Sequence, residues 1–210
     1  DGEAQTTRAA EIEIPLRGLR FPPKDLEETL PQQLALLAAA CEASEQCVSL
    51  PSERTGVFVG MEPDVEVCRY GLRWRQAQRL REQGFKPEDH STWLERVSDN
   101  IIPTLSSAGV VGTMPNIPAN RLNSQFDLGG ASYSISAGTD SGLRGLQLAA
   151  RALQSRELDA ALVAAVDLSC QEIHKQAIAT RDGSPKALGD AAVVMVVKRL
   201  SDAERDGENI

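Results

Sequence analysis

Asn116–Leu148, NIPANRLNSQFDLGGASYSISAGTDSGLRGLQL, reads as helix, turn, strand, sharp bend, helix. Leu122, Gln125 and Phe126 share one helical face. Asp127–Gly130 make a turn in which Gly129-Gly130 supply backbone freedom. Ser132–Ser136 (SYSIS) is a short β-prone run. Ala137–Gly142 are small and polar, and Leu143, Leu146 and Leu148 open a second apolar helical face that runs to Leu153. A strand bending on small residues into a helix places the bend at the helix N-terminus. Unpaired N–H groups and the positive dipole end there favour an anion, a thiolate or an oxyanion. Acyl-transfer enzymes keep nucleophiles at such corners. This corner carries Thr139.

Outward from that stretch, apolar runs of strand length alternate with helical periodicity. Thr55–Met61 (TGVFVGM) and Ala160–Asp167 (AALVAAVD) read as buried strands, and Ala191–Leu200 as another strand covered on both faces. Glu11–Leu16 (EIEIPL) alternates and is expected to be a short edge strand, kept there by Pro15. Leu26, Leu30, Leu34, Leu37 and Cys41 recur at helical spacing, giving one or two helices over Asp25–Ala43 that meet at Pro31, with Asp25 a candidate cap. Val65–Gln83 and His90–Ser106 read as helices, Gly109–Pro115 as a loop, Leu143–Ser155 as a well-buried helix and Gln171–Thr180 as a short helix. Thr180–Asp190 reads as a loop and Ser201–Gly207 as a turn or short helix. Strands alternating with helices define an α/β class with a mostly parallel sheet.

The central stretch resembles the β-ketoacyl synthase domain of fatty acid and polyketide synthases, a thiolase fold. Active members read roughly ANRLSYQFDLRGPS, strand, ACSSSL. On that pattern Gly138 takes the Ala, Thr139 the nucleophilic Cys and Asp140 the first Ser. PQQLALL (Pro31–Leu37), ERTGVFVGM (Glu53–Met61), LDAALVAAVDLS (Leu158–Ser169) and AAVVMVVKRLSDAERDG (Ala191–Gly207) match synthase segments in order. GLRFPPKDL, VGMEPDVEVCRYGLRWR and VVGTMPNIPANRLNSQFDL resemble the chain-length-factor domain of polyunsaturated fatty acid synthases, a ketosynthase-like partner without the Cys.

The resemblance implies a partial thiolase-like fold, the N-terminal half of a ketosynthase, with a sheet of five strands or fewer flanked by helices. It implies residues 11–210 as a half-domain, preceded by a linker or disordered segment over residues 1–10. The chain opens on Asp and stops at Ile210 inside a strand-plus-helix unit, so it is expected to be a fragment of a larger protein. It implies a non-catalytic chain-length factor that pairs with an active ketosynthase, or with itself, and meets acyl groups carried by an acyl carrier protein. The alternative is a degenerate synthase that decarboxylates a malonyl-type thioester or hydrolyses acyl chains. By the same resemblance Tyr133–Ser136 lies on the two-fold axis and pairs with its mate. The expected tunnel or interface residues are Met114, Asn116, Ile117, Phe126, Tyr133, Ile135, Gly138, Thr139 and Asp140. An IAIVGM-like opening strand and a DGYVRGEG-like loop of the family are both absent, the latter replaced by Arg181–Asp190.

The chemistry of the corner argues in the same direction. Thr139 has an unactivated hydroxyl, and Asp140 would oppose a neighbouring thiolate or oxyanion. No catalytic residue is assigned. The two histidines of the family's second half are missing, and His174 reads as a surface or capping residue. Asp167, ending a buried strand, is expected to cap the following turn, and Cys170 to be a packed thiol.

Bulk properties exclude several classes. The 210 residues carry a net charge of −8, with 41% hydrophobic and 25% charged residues. That balance opposes nucleic-acid binding and gives no attraction to anionic lipid. No apolar run nears the ~20 residues of a membrane span, and no signal peptide is visible, so a cytoplasmic location is expected. Cys41, Cys47, Cys68 and Cys170 form no CxxC pair, so no metal or cofactor is expected. The arginines of Val65–Gln83 could face an acidic carrier protein, but a solvated helix face is the simpler reading. Tyr70, Trp74 and Trp93 are expected to pack that excursion against the body, with Asn100 beside an interface.

Overall fold

A computed structural model describes residues 8–9, 11–86, 90–183 and 188–210. Part of the expected N-terminal linker and the middle of the Arg181–Asp190 loop lie outside them.

In chain order the elements are α1 (Pro23–Glu27), α2 (Pro31–Glu45), β1 (Thr55–Gly60), α3 (Cys68–Glu82), α4 (Ser91–Ile101), α5 (Ser107–Thr113), α6 (Ile117–Phe126), β2 (Ser132–Ile135), α7 (Ser141–Gln154), β3 (Ala160–Leu168), α8 (Glu172–Asp182), β4 (Asp190–Lys198) and α9 (Leu200–Asp206). The described strands form one sheet in the order β2-β1-β3-β4. β1 is parallel to β2, with Val57 opposite Ser132, and to β3, with Thr55 opposite Ala160. β4 returns antiparallel to β3, Leu168 facing Asp190.

Side-chain alternation divides the interior between the two faces of the sheet. Val57, Val59, Leu162 and Ala164 point into a core with Leu36, Leu37 and Leu122 from α2 and α6. Phe58, Ala161 and Val163 point oppositely, against Ala149 and Leu153 of α7. All six residues of β1 are buried, as expected of a strand covered on both sides.

The α7 face differs from the leucine stripe expected of it. The helix buries Ser141, Gly145, Ala149 and Leu153, while Leu143 is 69% exposed and Leu148 also faces outward. Small residues win because α7 lies close against the strands. A Cβ on Gly60 would stand 2.4 Å from Gly142 N, and one on Gly142 would stand 2.8 Å from Ala165 Cβ.

Several other expectations are corrected. Glu11–Leu16 forms no strand; Ile12 and Ile14 pack against the core from an irregular arm. Gly109–Pro115 is mostly helix, because Ser106 Oγ accepts the Gly109 N–H (2.9 Å) and starts α5. Asp25 does not cap α1; it lies within the helix, and its carbonyl accepts the Thr29 hydroxyl (2.6 Å). β4 is not covered on both faces: Ala191, Val193 and Met195 are exposed. Trp74 (78% exposed) and Trp93 (54%) face outward, and it is Arg73, bonded to Asp99 at 2.6 Å, that ties α3 to α4. The turn after α6 takes its left-handed residue from Asp127 (φ 56°). Gly130 serves close approach instead: a Cβ there would lie 2.3 Å from Thr55 O.

Candidate functional site

The strand-to-helix corner forms as the sequence predicts. β2 ends at Ile135, Gly138 takes φ 61°, and α7 begins at Ser141. Two turn-type bonds fold the corner back on itself, Asp140 N to Ala137 O (3.3 Å) and Ser141 N to Gly138 O (3.2 Å). Ser141 Oγ accepts the Ala137 N–H (2.9 Å), and its single proton is shared between Gly138 O (2.7 Å) and Glu62 Oε1 (3.2 Å).

Glu62, just beyond β1, was invisible as a site residue in the sequence. Its Oε1 accepts the Ser136 hydroxyl (2.8 Å) and the Gly138 N–H (2.7 Å). The Ser136 bond, helped by Gly138, holds this carboxyl below its usual range against the opposing effect of burial. The corner that could receive an external anion therefore already faces one.

Behind it lies a cavity of about 340 Å³ lined by Gln32, Glu62, Thr139, Ser141, Asp167 and His174, with Met61, Val65, Val166 and Ile178 among its apolar walls. His174 is neither at the surface nor a cap. It is 7% exposed, and its Nε2 lies 2.9 Å from Oδ1 of buried Asp64, which also accepts the Glu66 N–H (2.9 Å). The Asp64 hydrogen bond raises the imidazole above its ordinary pKa, with burial opposing. The Asp64 partner, 110 residues away, is what spacing alone does not reveal.

Asp167 is exposed and accepts the Ser169 hydroxyl, so it does bridge the turn after β3. The backbone of that turn is held by Asp190, whose carboxylate accepts Cys170 N–H (2.8 Å) and Ala9 N–H (2.9 Å). Cys170 is buried, as expected of a packed thiol.

The expected tunnel or interface residues do not converge on one place. Gly138 and Thr139 line the cavity. Asp140 occupies the N-cap position of α7, exposed and with no side-chain cap bond. Met114, Asn116 and Ile117 sit at the α5–α6 junction, and Phe126 packs on the α2-side core. Ile135 packs on the α7-side core, and Tyr133 is exposed on the edge strand with its ring 5.9 Å from that of Phe58. Beside β2 a groove of about 760 Å³ is lined by Phe58, Tyr133, Leu148, Arg151 and Leu158. Among the described residues no group of three or more His, Cys, Asp or Glu could hold a metal, and no helix is long and apolar enough to cross a membrane.

An α/β sheet whose edge strand turns at a glycine corner into a small-residue helix is the architecture of a ketosynthase N-terminal half. A solved structure, "PfaC Keto synthase-Chain length factor", superposes on 82% of this chain and 21% of its own with a TM-score of 0.73 at 21% identity, a likeness of fold. The family model "Beta-ketoacyl synthase, N-terminal domain" matches residues 13–203. The chain belongs to that family. Among its relatives is the "Highly reducing polyketide synthase gloL" of Glarea lozoyensis, 35% identical over 44% of this chain and 4% of that protein. Another is a polyunsaturated fatty acid synthase polypeptide of a Thraustochytrium species, 27% identical over 75% of this chain and 7% of that protein. The chain thus spans less than a tenth of either relative's length.

Proposed function

We propose that this chain is a non-catalytic, chain-length-factor-like domain. It pairs through the β2 edge with an active ketosynthase and shapes the space that receives the growing acyl chain. The observation that carries this reading is the corner itself. A ketosynthase must hold its acyl chain on a nucleophile there, and this corner presents a Thr139 hydroxyl whose neighbouring donors are bonded to Glu62. The open β2 edge, exposed Leu143 and the adjoining groove supply an apolar face of the kind a partner protein covers. The relatives are by name polyketide and polyunsaturated fatty acid synthases, which supports an acyl carrier protein as the source of the chain. The test is incubation with acyl- and malonyl-carrier protein followed by intact-mass spectrometry, together with co-purification with a matching ketosynthase. The expected result is stable pairing and no acyl adduct on this chain. An adduct at Thr139 would overturn the reading.

A second reading, a decarboxylase or acyl hydrolase, is favoured by one observation: His174, bonded to buried Asp64, lines the same cavity as Thr139. Turnover of a malonyl or acyl thioester that disappears in Thr139→Ala would select it.

A further inference from the structure

We infer that the outward ridge of α3 is a docking surface for an acidic helix of a partner protein. α3 carries five arginines against one glutamate, on a chain whose net charge is −8. Three of those arginines are occupied within the fold: Arg69 pairs with Glu66 (3.0 Å), Arg73 with Asp99 (2.6 Å), and Arg81 is engaged. Arg75 and Arg79 stand one turn apart and exposed, and among the described residues neither has an ion pair or a hydrogen bond. The helix's own carboxylate, Glu82, accepts from Gln78 instead (2.9 Å).

A second observation separates this ridge from an ordinary solvated helix face. Trp74 stands beside Arg75 at 78% exposure, and Phe85 and Trp93 are exposed on the same two-helix arm. Both tryptophans of the chain are therefore in water, where this residue type rarely stays. Trp together with Arg is the composition of interface hot spots, the ring supplying apolar area and the guanidinium directed donors. No residue of α3 is buried, and the helix holds to the rest chiefly through α4 and the turn Val65–Val67. Core packing does not account for the rings this arm displays.

Charge and shape select the occupant. Arg75 and Arg79 call for carboxylates a helical turn apart, and Trp74 calls for an apolar neighbour. An amphipathic acidic helix presents both along one line. Lipid is disfavoured because the other apolar residues of α3, Leu72, Ala77 and Leu80, lie on its half-buried side and leave no apolar stripe to insert. Nucleic acid is disfavoured because the chain's overall excess of carboxylates repels phosphates. The inference is independent of the Thr139 corner and of pairing at the β2 edge, so its failure leaves both readings standing.

The test titrates the chain with a synthetic helical peptide bearing glutamates on one side and leucines on the other. Its lysine twin, phosphatidylglycerol vesicles and a single-stranded oligothymidine are run alongside. Trp93→Phe leaves Trp74 as the sole tryptophan, so its fluorescence reports the ridge. The acidic peptide is expected to move Trp74 emission to shorter wavelength, and salt raised from about 0.05 M to about 0.5 M to weaken binding about tenfold. By calorimetry, Trp74→Ala and Arg75→Glu/Arg79→Glu should each lower affinity about tenfold or more. Circular dichroism should stay unchanged, because all three side chains are exposed. Arg17→Glu, an exposed cation elsewhere, should change affinity less than about twofold. No binding of the acidic peptide, an equal Trp74 shift with the lysine twin, tighter binding of vesicles or oligonucleotide, or ridge variants that bind like the parent would each overturn the proposal.

Discussion

His174 and Asp64 form a buried pair that stores a pH dependence. The folded state raises the imidazole's affinity for its proton, so the stabilisation is fully present below the unfolded value near 6.5. It is lost as pH rises through the higher folded value. Thermal melts should therefore show Tm falling across the neutral-to-alkaline range, and Asp64→Asn should flatten that slope. Asp64→Ala, which leaves the buried His174 ring without its hydrogen-bond partner, should cost about 3 kcal/mol in denaturant titrations near pH 6. Glu62 goes unread in the sequence and His174 reads there as a surface or capping residue for one reason. Each acts through a group some 76 to 110 positions away, and no local spacing encodes that meeting. Thr139, by contrast, was legible because its corner is written in consecutive residues.

Among elements, α7 is governed by how near it lies to β1 and β3. Gly60→Ala would drive a methyl to 2.4 Å from the Gly142 N and Ser141 C, backbone atoms that cannot swing aside. A loss of about 3 kcal/mol is expected from urea unfolding, with the corner displaced. The strands of the centre were readable from continuous apolar runs, but the same runs hid β4's exposure. AAVVMVVK has no polar residue before Lys198 to mark Val193 and Met195 as an open face. Gly109, Gly112 and the valines of α5 read as loop, yet tertiary fit makes a helix. Gly112 packs against the Glu28 carbonyl at a distance only glycine allows, and its own carbonyl accepts Leu30 N–H (3.0 Å) and Gln33 Nε2–H (2.9 Å).

At the scale of the molecule the exposed side of α7 separates folding from the proposed pairing. Leu143→Glu on the exposed side of α7 should change stability by less than about 0.5 kcal/mol while abolishing co-purification with a ketosynthase. The far end of the fold is closed by Glu208, which accepts Val48 N–H (2.7 Å) and Ser49 N–H (3.1 Å) and pairs with Lys198. The Lys198 ammonium and those amides depress its carboxyl to about 2. The clamp's stabilisation is therefore present above the ordinary carboxylate pKa near 4.5 and is lost as pH falls toward about 2. Acid unfolding followed by circular dichroism should show this contribution, and Glu208→Gln should remove it.

The sheet's order carries a consequence for synthesis on the ribosome. Among the described strands β1 comes first and is the middle of the three parallel ones, and its neighbours β2 and β3 are made about 75 and about a hundred residues later. At roughly 5–20 residues per second, the emerging TGVFVG segment waits on the order of ten seconds, greasy on both sides and without a mate. Such a nascent chain is a natural client for a holdase chaperone, and slowing translation between Gly60 and Ala160 would lengthen its exposure.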